Sequence, residues 1–194
     1  MTSVPAGDTE YVDLFDETGR LVRAGVPRAS IGDHSGLGEA FVKVVHGIPV
    51  NVAGEVLLQQ RAWSKAIWPG RWALLGGHVD SGETSEEALL REFREEYGID
   101  AAQAPRAMVH RLVQRIGHSL MEFWLILIDV KVADIVCEPG EVASAGYRSV
   151  ADLVKLYDTD DRWGPGEEPY RAEVVELFRA VPDLARRLRA SAGN

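Results

Sequence analysis

Thr84 followed three residues later by Glu87 forms a capping box, and Gly98 supplies a C-terminal stop, so the sequence predicts a helix over 85–97. This helix constrains the chain more than any other stretch, because its own charges oppose it. At about 100° per residue, Glu92, Glu95 and Glu96 stand at i, i+3 and i+4 and share a face. Leu89, Leu90, Phe93 and Tyr97 fall on another face and predict a stripe docked on a sheet. Arg91, Arg94 and Glu87 are expected between the two, on the outside, and Ala88 leaves room one turn below Glu92. Like charges at this spacing cost about 0.2–0.5 kcal/mol per pair. Acids in the last turn oppose the helix dipole by about 0.3–1 kcal/mol each. A solvated acidic face is the plain alternative, but a helix built for solubility would carry Lys or Arg there. Something positive is expected to offset the penalty.

Hard divalent cations are the economical answer. Mg²⁺ prefers oxygen ligands and is bound by carboxylates together with substrate phosphates, and Mn²⁺ accepts similar ligands. Ions held there would orient water, lower its pKa and neutralise a leaving phosphate, the chemistry of cleaving a diphosphate.

The spacing Gly77, five residues, Glu83, seven residues, then Arg91-Glu92-Phe93-Arg94-Glu95-Glu96-Tyr97-Gly98-Ile99 resembles the Nudix box. Only Phe93 departs from its pattern, where an aliphatic residue is usual. The resemblance implies an α/β/α sandwich with a mixed sheet and a loop–helix–loop metal site. It implies Glu92, Glu95 and Glu96 as ligands to Mg²⁺ or Mn²⁺, with the carbonyl of Gly77 as a further donor. Glu83 is implied as a support, through a bridge to Arg91 or through water to a metal.

A second run, Arg61-x-x-Ser64-Lys65-x-x-Trp68-Pro69-Gly70-x-Trp72, resembles the stretch before the box in type I isopentenyl diphosphate isomerases. By that resemblance Arg61 and Lys65 contact diphosphate, Arg in bidentate fashion. The isomerases carry a Cys-Gly-His segment where this chain has Gly76-Gly77-His78, so half of their acid/base pair is missing. Their upstream metal histidine corresponds to Glu39, with His34 in a nearby loop, and their box is degraded where this one is complete. His78 is open to metal ligation, substrate contact or a structural role in a turn. Glu122 matches an acidic metal-site position and is also a base candidate; an outward strand residue is the bland reading. Glu141 and His118 are weaker alternatives. Trp68, Pro69 and Trp72 read as packing and turn residues; Trp124, Trp163 and Tyr170 read as aromatic core that could line a pocket.

The remaining sequence frames this site. YVDLF and RLVRAG around DETG predict a hairpin, Val26 to Gly38 a loop, and AFVKVVHGIPVN and EVLLQQRA two strands. IWPGRW predicts a tight turn before the strand WALL; RAMVHRLVQRI and LMEFWLILIDVKV predict paired strands; VADLVKLY and EEPYRAEVVELFRAV predict helices. Residues 1–10 are expected as a loose tail, 11–182 as one domain and 183–194 as a basic tail or helix end. A net charge of −9 argues against nucleic-acid or anionic-membrane partners, and no apolar run is long enough to span a membrane. Cys137 is the only cysteine, so no intrachain disulfide forms, and it reads as a small buried hydrophobe. No signal-peptide pattern opens the sequence, and a cytoplasmic location is expected.

These features predict a metal-dependent hydrolase of a small-molecule diphosphate, such as a nucleoside diphosphate linked to another group. An isopentenyl-diphosphate isomerase and a diphosphate-binding module without catalysis are the alternatives. Family members are often dimers, which leaves a homodimer open.

Overall fold

Ten residues of nearly unbroken apolar character form strand β3, Phe41–Val50, and the sheet is assembled around it. The computed structural model describes residues 10–32, 34, 36–159 and 163–193. Before β3 come the expected hairpin strands β1, Tyr11–Phe15, and β2, Leu21–Pro27. After it come β4, Val56–Arg61; β5, Trp72–Ala73; and β6, Leu75–His78. Helix α1, Ser85–Tyr97, is followed by β7, Arg106–Gln114; β8, Ser119–Leu127; and β9, Val142–Arg148. Helices α2, Val150–Thr159, and α3, Glu168–Ala192, complete the described chain.

One edge of β3 is taken along almost its whole length by parallel β8, from Val42↔Ser119 to Val50↔Leu127. The other edge is shared in turn by β1 at Phe41 and Val42, by β6 from Val44 to Gly47, and by β4 at Val50. β7 extends the sheet beyond β8, while β5 and β9 flank β4. The sheet is therefore mixed, as expected.

Side-chain alternation divides the core into two layers. On one face Leu57, Leu75 and Ile126 meet Leu89, Phe93 and Tyr97 of α1. On the other, Ile48, Leu58, Phe123 and Leu125 meet Val174 and Phe178 of α3 and Leu153 of α2. The product is an α/β/α sandwich.

One expectation needs correction, and one pair of alternatives is decided. WALL is not one strand: Trp72–Ala73 pairs with β4 and Leu75–His78 with β3, the chain changing partner at Leu74. Of the tail and the helix end expected for 183–194, the structure has the helix end. α3 continues through Pro182 to Ala192 because its apolar stripe continues through Val181, Leu184, Ala185 and Leu188 against the core. Arg189 then donates to the carbonyl of Asn51 at 2.6 Å. The lost backbone bond at Pro182 is outweighed by packing on both sides.

Phe93 is fully buried between α1 and the sheet. Phe93→Ala should lower the urea-unfolding free energy by about 3–5 kcal/mol, and a loss below about 1 kcal/mol would show that α1 is not anchored there.

Candidate active site

The capping box begins α1 as the sequence indicates: Glu87 N donates to Thr84 Oγ1 at 3.2 Å, and Thr84 N donates to Glu87 Oε2 at 2.8 Å. Gly98 ends it at φ 65°, a left-handed value that favours glycine. Between these ends the helix lies against β6. A Cβ on Gly77 would stand 2.1 Å from Glu92 Oε1, so the absence of a side chain lets the strand backbone and the carboxylate meet.

Arg91 is not on the outside. Its guanidinium turns inward, where Nε and Nη2 each donate to Glu83 at 3.1 Å and Nη1 donates to Glu92 at 2.7 Å and to Glu95 at 3.0 Å. Nη2 also donates to the carbonyl of His78 at 2.9 Å, tying the helix to β6. Burial works against the charge on Arg91, but the bonds it donates to Glu83 and the charge of Glu92 hold its pKa above the ordinary range. The positive partner inferred from the sequence is thus partly internal.

Glu96 lies outside Arg91's reach. It is buried, and its Oε2 has no hydrogen-bond partner. Burial pushes its carboxyl up to about 8; Glu92 adds to the rise, and a hydrogen bond with Gln59 opposes it. Burial also raises the Glu92 carboxyl, with Arg91 opposing. Glu95 sits at the rim with 57% of its side chain exposed. Among the described residues no three His, Cys, Asp or Glu side chains converge closely enough to hold a metal. Even so, the donor set is all hard oxygen, one buried oxygen lacks a partner, and the glycine strand presses against Glu92. These features suit a divalent cation.

The basic residues expected to contact diphosphate gather at the Glu96 end. Arg61 Nε donates to the carbonyl of Ile67 at 3.2 Å, and its charge acts on Glu96. Lys65 is ion-paired with Glu141, whose own charge raises the Glu96 carboxyl. His78 points to the opposite face of the sheet, with its Nε2 3.2 Å from Nε2 of His34. His34 Nδ1 lies 2.9 Å from the carbonyl of Gly117, which assigns it the proton, so His78 Nε2–H donates to His34 Nε2. Burial, aided by the charges of Arg28 and His34, lowers the His78 pKa to about 3 and keeps it neutral.

Glu122 does not join the helix carboxylates. It is buried and receives Arg111 Nη2 at 2.7 Å and Nε at 3.1 Å. Val45 pairs with Glu122 on one side and with Gly77 on the other, so Glu122 stands two strand spacings, about 10 Å, from Gly77. His118 Nδ1 faces the carbonyl of Ala40 at 3.2 Å, and Glu39 lies exposed in the same region. Cys137 packs beside the α1 cluster, and burial raises its thiol pKa. Trp124 is also packed there, Trp72 stacks under Arg148, and the hydroxyl of Tyr170 accepts from Arg115 N. Trp68 and Trp163 both line a cavity on the α3 side. Gln59 and Arg111 carried no signal in isolation, although a glutamine in the apolar run VLLQQ is a mark of a buried polar contact.

The raised Glu96 carboxyl predicts a pH response. Between about pH 4.5 and 8 the folded protein holds a proton that the unfolded chain releases, so metal-free stability should fall as pH rises through this window. Thermal melts should show a lower Tm at pH 8.5 than at pH 6; Glu96→Gln should flatten the slope, and an unchanged slope would place the titration elsewhere.

The NUDIX domain family matches residues 41–170. An uncharacterized Nudix hydrolase of Listeria monocytogenes is 32% identical over 115 residues, covering 58% of this chain and 66% of that protein. The isopentenyl-diphosphate Delta-isomerase of an Enterobacter species is 36% identical over 95 residues, 48% of this chain and 50% of the isomerase. The match thus spans just under two thirds of the first relative and half of the second. The crystal structure of DR0079 from Deinococcus radiodurans superposes with a TM-score of 0.64 over 89% of this chain and 99% of that one, at 23% identity, a likeness of fold. No helix among the described residues is long and apolar enough to cross a membrane. With the family match across most of the domain and the complete box folded onto β6, the chain belongs to the Nudix hydrolase family.

Proposed function

We propose that this chain hydrolyses the P–O–P linkage of a small organic diphosphate with the help of Mg²⁺ or Mn²⁺. The observation that carries the reading is the buried Glu96 carboxyl, one oxygen without a partner, beside Glu92 and the glycine strand. Glu92, Glu95 and Glu96, with the carbonyl of Gly77, would hold the ions. When bound, divalent ions supply charge neutralisation at phosphate and a lowered pKa for water.

The side chains have distinct tasks in this reading. Arg91 keeps Glu92 and Glu95 in place and, bridged to Glu83, fixes the helix on the loop before it. Arg61 and Lys65 orient the diphosphate; Lys65 must exchange Glu141 for a phosphate oxygen to do so. Glu141, released in that exchange, is the proton acceptor in this reading. Glu122 is satisfied by Arg111 and is given no proton-transfer task.

Isomerisation, suggested by the name of the Enterobacter relative, lacks support at Gly76, which brings no side chain to carry a proton. Incubation with isopentenyl diphosphate in deuterated water separates the readings, because isomerisation incorporates deuterium into carbon and hydrolysis releases phosphate.

Glu95→Gln and Glu96→Gln should each lower phosphate release from an active diphosphate by about a hundredfold or more while leaving the melting transition cooperative. Folded variants with near wild-type turnover would contradict the assignment.

A further inference from the structure

The face of the sheet opposite α1 holds a cavity of about 440 Å³. Its volume lies within the range of small-molecule sites. Met121 and Phe123 of β8, Val44 of β3, Val174 of α3 and Trp163 line it. Ile67 and Trp68, from the turn after β4, line it as well. That turn is unusual: Ile67 is 64% exposed and Trp68 43% exposed although both face the cavity. Trp68 also holds φ 54°. A positive φ on a bulky residue costs of order 1–3 kcal/mol and is found at ligand clamps.

Two features relate the cavity to the acidic helix. Gly76 lines it while the adjacent Gly77 presses on Glu92, so a single strand backbone separates the two spaces. Arg61 lines it and acts on Glu96. A diphosphate held by Arg61 would lie at the edge of the cavity.

Several hydrogen-bonding groups of the wall are turned toward one another. Gln114 donates to Glu167 and accepts from Gly117 N at 2.7 Å; Glu167 also accepts from Gly164 N at 2.6 Å. Ser119 Oγ and His34 Nδ1 both bond to the carbonyl of Gly117 at 2.9 Å, and the hydroxyl of Tyr157 accepts from Leu74 N at 3.1 Å. A nucleobase entering here would surrender its bonds to water, at about 1–3 kcal/mol for each buried group left unpaired. A hydrocarbon chain would lose none, and it would cover Ile67 and Trp68.

We infer that the cavity takes a hydrocarbon arm, so that the substrate is the diphosphate ester of an aliphatic alcohol and not a nucleotide. This rests on the hydrolase reading and specifies its substrate class. In the reaction, water oxygen bonds to the terminal phosphorus and the bridging P–O bond breaks. The bridging oxygen leaves with the electron pair on the alkyl monophosphate. One water proton passes to a base, for which Glu141 is the candidate, and the other stays on inorganic phosphate.

A chain-length series tests this with Mg²⁺ present. Calorimetry with non-hydrolysable alkyl methylene-bisphosphonates, methyl to hexyl, should show affinity rising about fourfold per added methylene, the transfer gain expected for burial. The kcat/KM values of the matching alkyl diphosphates should rise in parallel. Flat affinity along the series, or an adenosine methylene-bisphosphonate binding as tightly as the hexyl compound, would overturn the inference. Chain-length-dependent binding with no phosphate released from any diphosphate would sustain the cavity assignment and overturn hydrolysis. Ile67→Asp, at a solvent-exposed position, should collapse the hexyl-over-methyl preference; its survival would show that the arm lies elsewhere.

Discussion

The arrangement depends on carboxylates buried where a helix is least able to tolerate them. Glu92 and Glu96 lie buried on the side of α1 that meets the sheet, among the apolar residues that anchor the helix. Arg91 relieves part of the repulsion by collecting Glu83, Glu92 and Glu95 around one guanidinium. Removing Glu83 or Glu92, the less exposed partners, would leave part of the charge uncompensated, which makes the set a frame more than a source of stability. Glu96 is left beyond that frame, and its raised pKa follows from burial. A buried carboxylate oxygen without a partner suits a cation in a way that a paired one does not.

The two glycines of β6 turn this frame into a two-sided device. Gly77 admits Glu92 on the α1 face, and Gly76 borders the cavity on the α3 face, where an added Cβ would stand 2.3 Å from the carbonyl of Val45. Alternation along one strand thus puts proposed phosphate chemistry and proposed arm recognition on opposite sides of a single backbone. The first side is set by the box. The second is built from residues scattered over β3, β8, the turn after β4 and α3, which is how one fold can change substrates while keeping its chemistry.

Legibility in the sequence followed the range of the interactions. Helix 85–97 was readable to the residue because its capping box, its terminator and its apolar stripe are all local. Arg91 was located on the helix but assigned to its outer side, since periodicity alone does not show a long side chain bending back along the surface to three acids. Glu122 was read as a site residue because it matches an acidic metal-site position of the isomerases. Its partner, Arg111, is defined by a strand register that shifts between Met108 and His110, a feature absent from any pattern of residue types. β9 left no trace because VASAGYR lacks an aliphatic alternation, yet it pairs along β4. Pro182 and the arginines after it concealed the last turns of α3, although Leu184 and Leu188 continue its stripe.

The central claim is that a divalent cation belongs with Glu96 and its neighbours. Titration of the metal-free protein with Mn²⁺ near pH 7.5, in two buffers of different ionisation enthalpy, tests it most directly. The account predicts saturable uptake accompanied by proton release, because the cation converts the protonated Glu96 to its carboxylate. Absence of uptake, with or without a bisphosphonate, or uptake that releases no proton and is unchanged in Glu96→Gln, would contradict it.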